Sequence, residues 1–304
     1  MKFSQLYTGP LKYFIRTTFS FWEKLGFHIT LNHFYQPVPD TRSLSHKVWE
    51  KPSEMKGIDL RGVAQCELLE SFASRYKKEY DVLPREKTPV PHQYYSNNGA
   101  FLAIDAGILY CMVRHFKPKR IFEIGSGNST YLSAQASLKN SSEDPSYTCE
   151  LVAMEPYPNA VLRAGFPGMT TLVQKKIQDV PLSEFSKLGE NDILFIDSSH
   201  VLKTGSDVSF EYLEILPRLN KGVIVHIHDI FLPAEYPKEW ILNNHTFWNE
   251  QYLLQAFLAF NSKYEVLLGA NYMGLAYPDL MEKAFSSYRR GQQAQGSFWI
   301  RKVD

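Results

Sequence analysis

Residues 121–130 read IFEIGSGNST. An apolar run carrying one carboxylate, Glu123, breaks into Gly125 and Gly127 and then into small polar residues. The pattern predicts a short strand, a flexible turn and a helix start, with Asn128 or Ser129 as the expected cap. A phosphate-binding loop would carry a lysine at this turn, and none is present.

On either side of this stretch, helix and strand patterns alternate. AFLAIDAGILYCMVRHF (100–116) suits a helix, as does GSDVSFEYLEILPRL (205–219). Strand patterns lie at LVAME (151–155), TTLVQ (170–174), DILFID (192–197) and GVIVHIHD (222–229), followed by YEVLLG (264–269) and GSFWIRK (296–302). Such alternation implies an α/β fold, a parallel sheet with helices on both faces. Sheets of this kind bind ligands beyond the carboxyl ends of their strands. Polar residues gather at those ends: Glu123 to Gly127, Glu155, Asp197 to His200, and His226, His228 and Asp229.

Two dinucleotide-type readings compete at the turn. A nicotinamide fingerprint needs G-x-G-x-x-G, and its third glycine is Thr130 here. A carboxylate before the turn suits a ligand with an ammonium group and no phosphate, such as S-adenosylmethionine. EIGSGNST resembles the first motif of the class I S-adenosylmethionine-dependent methyltransferases, E/D-x-G-x-G-x, with the small polar tail of methyltransferase family 24. The resemblance spans roughly residues 90–302 and implies a Rossmann-like seven-stranded sheet whose last two strands form an antiparallel hairpin. It implies cofactor contacts from Glu123, Gly125, Ser126, Gly127, Asn128, Ser129 and Asp197. Glu155, ending the second strand, would accept the ribose hydroxyls. Ile177 and Gln178 fall where the family meets the adenine. The polar segment KNSSEDPSYT (139–148) reads as a loop insertion between Glu123 and Glu155.

DILFIDSSH and VIVHIHDIF resemble the metal-dependent catechol-type and macrolide-sugar O-methyltransferases. Asp197 and Asp229 match their two acidic metal positions, which leaves room for a divalent metal. The Asn that usually follows the second acid is Ile230, and His200 or His228 would substitute. His200 lies three residues after Asp197, where the catechol-type relatives carry a base lysine, so His200, His228 and Asp229 are the catalytic candidates. His226 and His228 share one face of their strand. The bland alternative makes His226 a packed strand residue and Asp197 a plain hydrogen-bond acceptor.

The reading implied is methylation of a small-molecule hydroxyl, of a sugar, glycolipid or other secondary metabolite. A metal-dependent hydroxylase-like enzyme on the same fold and a non-catalytic cofactor-binding scaffold are the alternatives. Lys+Arg number 33 against Asp+Glu 32, so no charge excess points to a nucleic-acid partner. The three cysteines are widely spaced and form no CxxC pair. No stretch reaches about 18 uninterrupted apolar residues, so no transmembrane segment and a cytoplasmic location are expected. A homo-oligomer is compatible with the sequence. Residues 1–90 differ from the core and are expected to form an extension or cap ahead of a methyltransferase domain at 91–304. They hold the helix pattern RGVAQCELLESFASRYKKEY (61–80) and the aromatic segment YFIRTTFSFWEKLGFHITLNHFY (13–35). That segment reads as a helix covering the main domain, an interfacial membrane helix, or a lid over an apolar substrate.

Overall fold

The computed structural model describes residues 10–291 and 295–304. The strands are β1 (Arg120–Ile124), β2 (Glu150–Met154), β3 (Thr171–Val173), β4 (Ile193–Ile196), β5 (Ile224–Ile227), β6 (Tyr264–Gly269) and β7 (Phe298–Lys302). The first helices are α1 (Pro10–Thr17), α2 (Phe19–Lys24), α3 (Gly62–Tyr80), α4 (Ala103–Phe116), α5 (Asn128–Glu143) and α6 (Ala160–Ala164). After them come α7 (Leu182–Phe185), α8 (Asp207–Phe210), α9 (Lys238–Leu242), α10 (Glu250–Leu258), α11 (Ala270–Ala276) and α12 (Pro278–Ala284).

The seven strands form one sheet in the order β3-β2-β1-β4-β5-β7-β6. β1 to β5 run parallel, and β7 is antiparallel to both β5 and β6. This is a Rossmann-like α/β sheet. The central strands are buried on both faces, which is why they read as continuous apolar runs. Alternate residues feed two cores. Ile121, Ile193, Phe195 and Ile224 pack beneath α3, α4 and α5, while Phe122, Leu194, Ile196, Val225 and Ile227 pack against Phe185, Val208, Leu254 and Leu258. Strand order reverses between β1 and β4, so the crevice at a parallel sheet's switch point opens beside Gly125.

By contacts the chain divides into residues 1–50 with 238–247, and residues 51–237 with 248–304. The composition-based boundary near residue 90 therefore differs from the division at 50, because α3 packs into the sheet unit. Its Gln65, Leu69 and Phe72 are fully buried, and Gln65 Oε1 accepts from the Gly269 N–H at 2.8 Å. In the smaller unit, α1 and α2 bury none of their described residues, and Phe19 stacks on His28 at 5.1 Å. Among the described residues no helix is long and apolar enough to cross a membrane.

Three local expectations change. The N-cap of α5 is Gly127, and Thr130 Oγ1 accepts from its N–H at 2.9 Å, whereas Asn128 and Ser129 already lie within the helix. α5 runs on to Glu143, so half of the supposed loop insertion is helix whose outer side is polar. The helix pattern at 205–219 breaks after Phe210 into a π turn, Glu211–Ile215, and a 3₁₀ turn containing Pro217, which cannot continue an α-helix.

Candidate active site

Gly125 follows β1 with φ +78°, a left-handed conformation that side chains resist. A Cβ there would lie 1.8 Å from the Asp197 carbonyl oxygen, so only glycine lets the β1 turn pass the end of β4. A Cβ at Gly127 would meet no protein atom within 4 Å. The turn's backbone donors are engaged: the Gly125 N–H donates to Met154 O at 3.0 Å and the Ser126 N–H to Glu155 Oε2 at 3.4 Å. The Gly127 N–H is the one taken by Thr130.

Gly125, Glu155, Ile177, Gln178 and Asp197 line one cavity of about 430 Å³, with Met154, Tyr157, Lys176 and Lys203 among the other walls. Glu155 Oε1 also accepts from the Tyr157 N–H at 2.8 Å, so backbone donors orient its carboxylate. Glu123, Ser126, Gly127, Asn128 and Ser129 are not among the cavity's lining residues. Glu123 is wholly buried behind the turn, where the Ser129 hydroxyl donates to its Oε1 at 2.5 Å. Burial pushes its carboxyl up to about 8, against the hydrogen bonds of Ser129 and Thr130.

Asp197 also borders a second feature, a cluster of acids and imidazoles at the ends of β4 and β5. His200 Nε2 lies 3.2 Å from Asp197 Oδ1 and 3.8 Å from Asp229 Oδ2, while its Nδ1 lies 2.9 Å from Glu250 Oε2. His228 Nε2 is 3.7 Å from Asp229 Oδ1. His200 and Asp229 have φ of +58° and +53°, in a region where a non-glycine residue costs about 1–3 kcal/mol and which concentrates at functional sites. The Asp229 turn is held from behind. A Cβ on Gly296 would lie 2.9 Å from Asp229 Cα, and the buried Asp105 carboxylate accepts from the Gly296 and Ser297 N–H groups at 3.3 and 3.0 Å.

Burial works against the His200 proton, but the bonds and charges of Asp197 and Glu250 outweigh it and raise the imidazole well above its ordinary value. A general base must be neutral, so these carboxylates oppose the expected base role of His200. His228 is likewise raised by Asp197 and Asp229 in spite of its burial. Burial pushes the Asp229 carboxyl up against the pull of His228 and His200. Asp197 is also desolvated, yet His228 and His200 hold it below the usual range. His226 stacks on Phe195 at 4.1 Å and meets the tilted Trp299 ring at 4.4 Å, and burial drives its imidazole well down. It is the packed strand histidine, and His228 is the one beside the acids.

Asp197, His200 and Asp229 each offer a ligand atom, and these atoms lie within 4.8 Å of one another. Two carboxylates and an imidazole suit a divalent ion of borderline softness. Sequence reasoning missed Glu250, Trp248 and Asp105. Glu250 opens a helix, where an acid ordinarily signals only the helix dipole.

The family model described as a methyltransferase domain, family 24, matches residues 122–230. A protein of Archaeoglobus fulgidus, described only as uncharacterized, is 34% identical over 168 residues, covering 53% of this chain and 74% of that one. Among solved structures, an O-methyltransferase from Bacillus cereus in complex with SAH is similar at 12% identity and a TM-score of 0.37, covering 80% of this chain and 91% of that one. An apo structure of CmcI-N160 is similar at 16% identity and a TM-score of 0.36, covering 66% and 71%. The matched domain runs from β1 through the glycine turn to the Asp229 turn, and the chain belongs to the class I methyltransferases of the family 24 type.

Proposed function

We infer that the protein transfers the methyl group of S-adenosylmethionine to a hydroxyl of a small molecule. The observation that carries this reading is the cavity shared by Gly125, Glu155, Ile177, Gln178 and Asp197, with the acid–imidazole cluster beside it across Asp197. The turn donors support a ligand without phosphate. Gly125, Ser126 and Gly127 use their N–H groups internally, so the amides a pyrophosphate would need are occupied. Glu155 keeps lone pairs for two ribose hydroxyls after accepting from Ser126 and Tyr157.

Methyl transfer is an in-line displacement: the acceptor oxygen forms a bond to the methyl carbon as the carbon–sulfur bond breaks. The sulfonium leaves as a thioether, and the hydroxyl proton passes to solvent water. Asp197, His200 and Asp229 have the donor set for a divalent cation, which when bound would lower the pKa of a neighbouring hydroxyl. Asp197 faces both cavity and cluster and so fixes the distance between the two reacting groups. His228 offsets the negative charge of Asp197 and Asp229 from beneath.

Calorimetry tests the cofactor reading: S-adenosylmethionine should bind and NAD should not, and binding of NAD alone would overturn it. Isotope-labelled methyl transfer to a panel of sugars, lipids and phenols, with and without a chelator, then identifies the acceptor. A hydroxylase-like enzyme or a scaffold would transfer no label to any member.

A further inference from the structure

Three consecutive residues, Trp248, Asn249 and Glu250, grip one histidine. The Trp248 ring lies 4.4 Å from the His200 ring. The N–H groups of Asn249 and Glu250 donate to the His200 carbonyl at 3.2 and 3.3 Å, and the Leu202 N–H donates to Asn249 Oδ1 at 2.6 Å. Glu250 is fully buried, which is unusual for an acid in the first turn of a helix. Its Oε2 lies 2.9 Å from His200 Nδ1, the contact that a ring N–H donating to a carboxylate makes. The opposite nitrogen is then the one aimed at Asp197 and Asp229.

We propose that Glu250 is a positioning residue, which holds His200 by Nδ1 so that Nε2 stays turned toward Asp197 and Asp229. The inference rests on His200 being a ligand of the cation. Without the carboxylate the ring could turn about its Cβ–Cγ bond, and Nε2 would no longer face the acids. Carboxylates behind ligating histidines typically account for 10–100-fold in metal affinity.

Two variants of the full-length protein separate reach from charge. E250Q keeps the reach and an acceptor oxygen but loses the charge, whereas E250D keeps the charge and is one methylene too short. Mn²⁺ affinity is measured by calorimetry, and the His200 ring N–H is followed as a slowly exchanging downfield proton by NMR, identified by its loss in H200Q. E250Q should bind Mn²⁺ within about threefold of wild type and keep the ring proton. E250D should bind roughly 10–100-fold more weakly and lose the proton, with S-adenosylmethionine affinity unchanged in both. A folded E250D that matches wild type, or an E250Q as weak as E250D, overturns the proposal. If E250D does not fold, the ring proton in E250Q decides alone: its retention supports the proposal and its loss sinks it. A wild-type protein that binds no Mn²⁺ would remove the cation from the proposed function, and the ring proton would still judge Glu250.

Discussion

At the ends of β1 and β2, backbone amides do the bonding: the turn at 125–127 donates to Met154, Glu155 and Thr130, and the main titrating side chain, Glu123, is sealed behind it. At the ends of β4 and β5, side chains do it instead. His200 alone touches Asp197, Asp229 and Glu250. The first region's bonds are made by backbone groups that do not titrate. In the second, each group's charge depends on its neighbours', so removing one changes the rest. On the proposed function, binding and chemistry fall to different kinds of bond, joined where Gly125 meets the Asp197 carbonyl.

The largest effect expected of this division is on turnover. His200→Ala and Asp229→Asn should each lower methyl transfer by about 10²–10⁴-fold, the scale of losing several kcal/mol of charge stabilisation. S-adenosylmethionine affinity should stay within about twofold. A matching loss of affinity would dissolve the distinction between the two regions.

Glu123 comes next. The folded chain holds its proton up to about pH 8, whereas the unfolded chain releases it near 4.5. The unfolded state therefore binds fewer protons between those values, and stability falls as pH rises through that window, by at most about 1.4 kcal/mol per unit, then levels off. Denaturant midpoints at pH 5, 6.5 and 8 should show the decline, and Glu123→Gln should flatten it. An unchanged slope in the variant would show that Glu123 is not the titrating group.

Gly125→Ala should destabilise the fold by about 2–4 kcal/mol, since its Cβ meets backbone and its φ is strained. Gly127→Ala should leave unfolding nearly unchanged, because no protein atom is near, so any loss there must appear in cofactor affinity. Equal thermal penalties for the two would contradict the geometry. The smallest effect belongs to Glu155→Ala, which should weaken S-adenosylmethionine binding by roughly 1.5–3 kcal/mol in calorimetry while leaving the melting temperature unmoved.

The strands and the polar residues at their ends could be read from the chain because both are local: short runs three to six residues long, each followed by a change of character. Glu250 and Asp105 were not legible in this way. Each reaches the site across 50 or more residues of sequence, through packing that no short window records. His200 was found, but its charge state was not, because that depends on the carboxylate from α10. The division by contacts at residue 50 was not legible either, because it depends on the few buried positions of α3 that anchor it to β6.

The position of β7 bears on how the chain is made. It enters the sheet between β5 and β6, two strands synthesised earlier. Until β7 leaves the ribosome, β5 and β6 each present an open edge to other nascent chains. The Asp229 turn, backed by Gly296 just before β7, also lacks that backing until then. Cofactor-side geometry can form while synthesis is under way, but the acid–imidazole cluster must wait for β7, and a ribosome stalled before it would hold a species prone to aggregate.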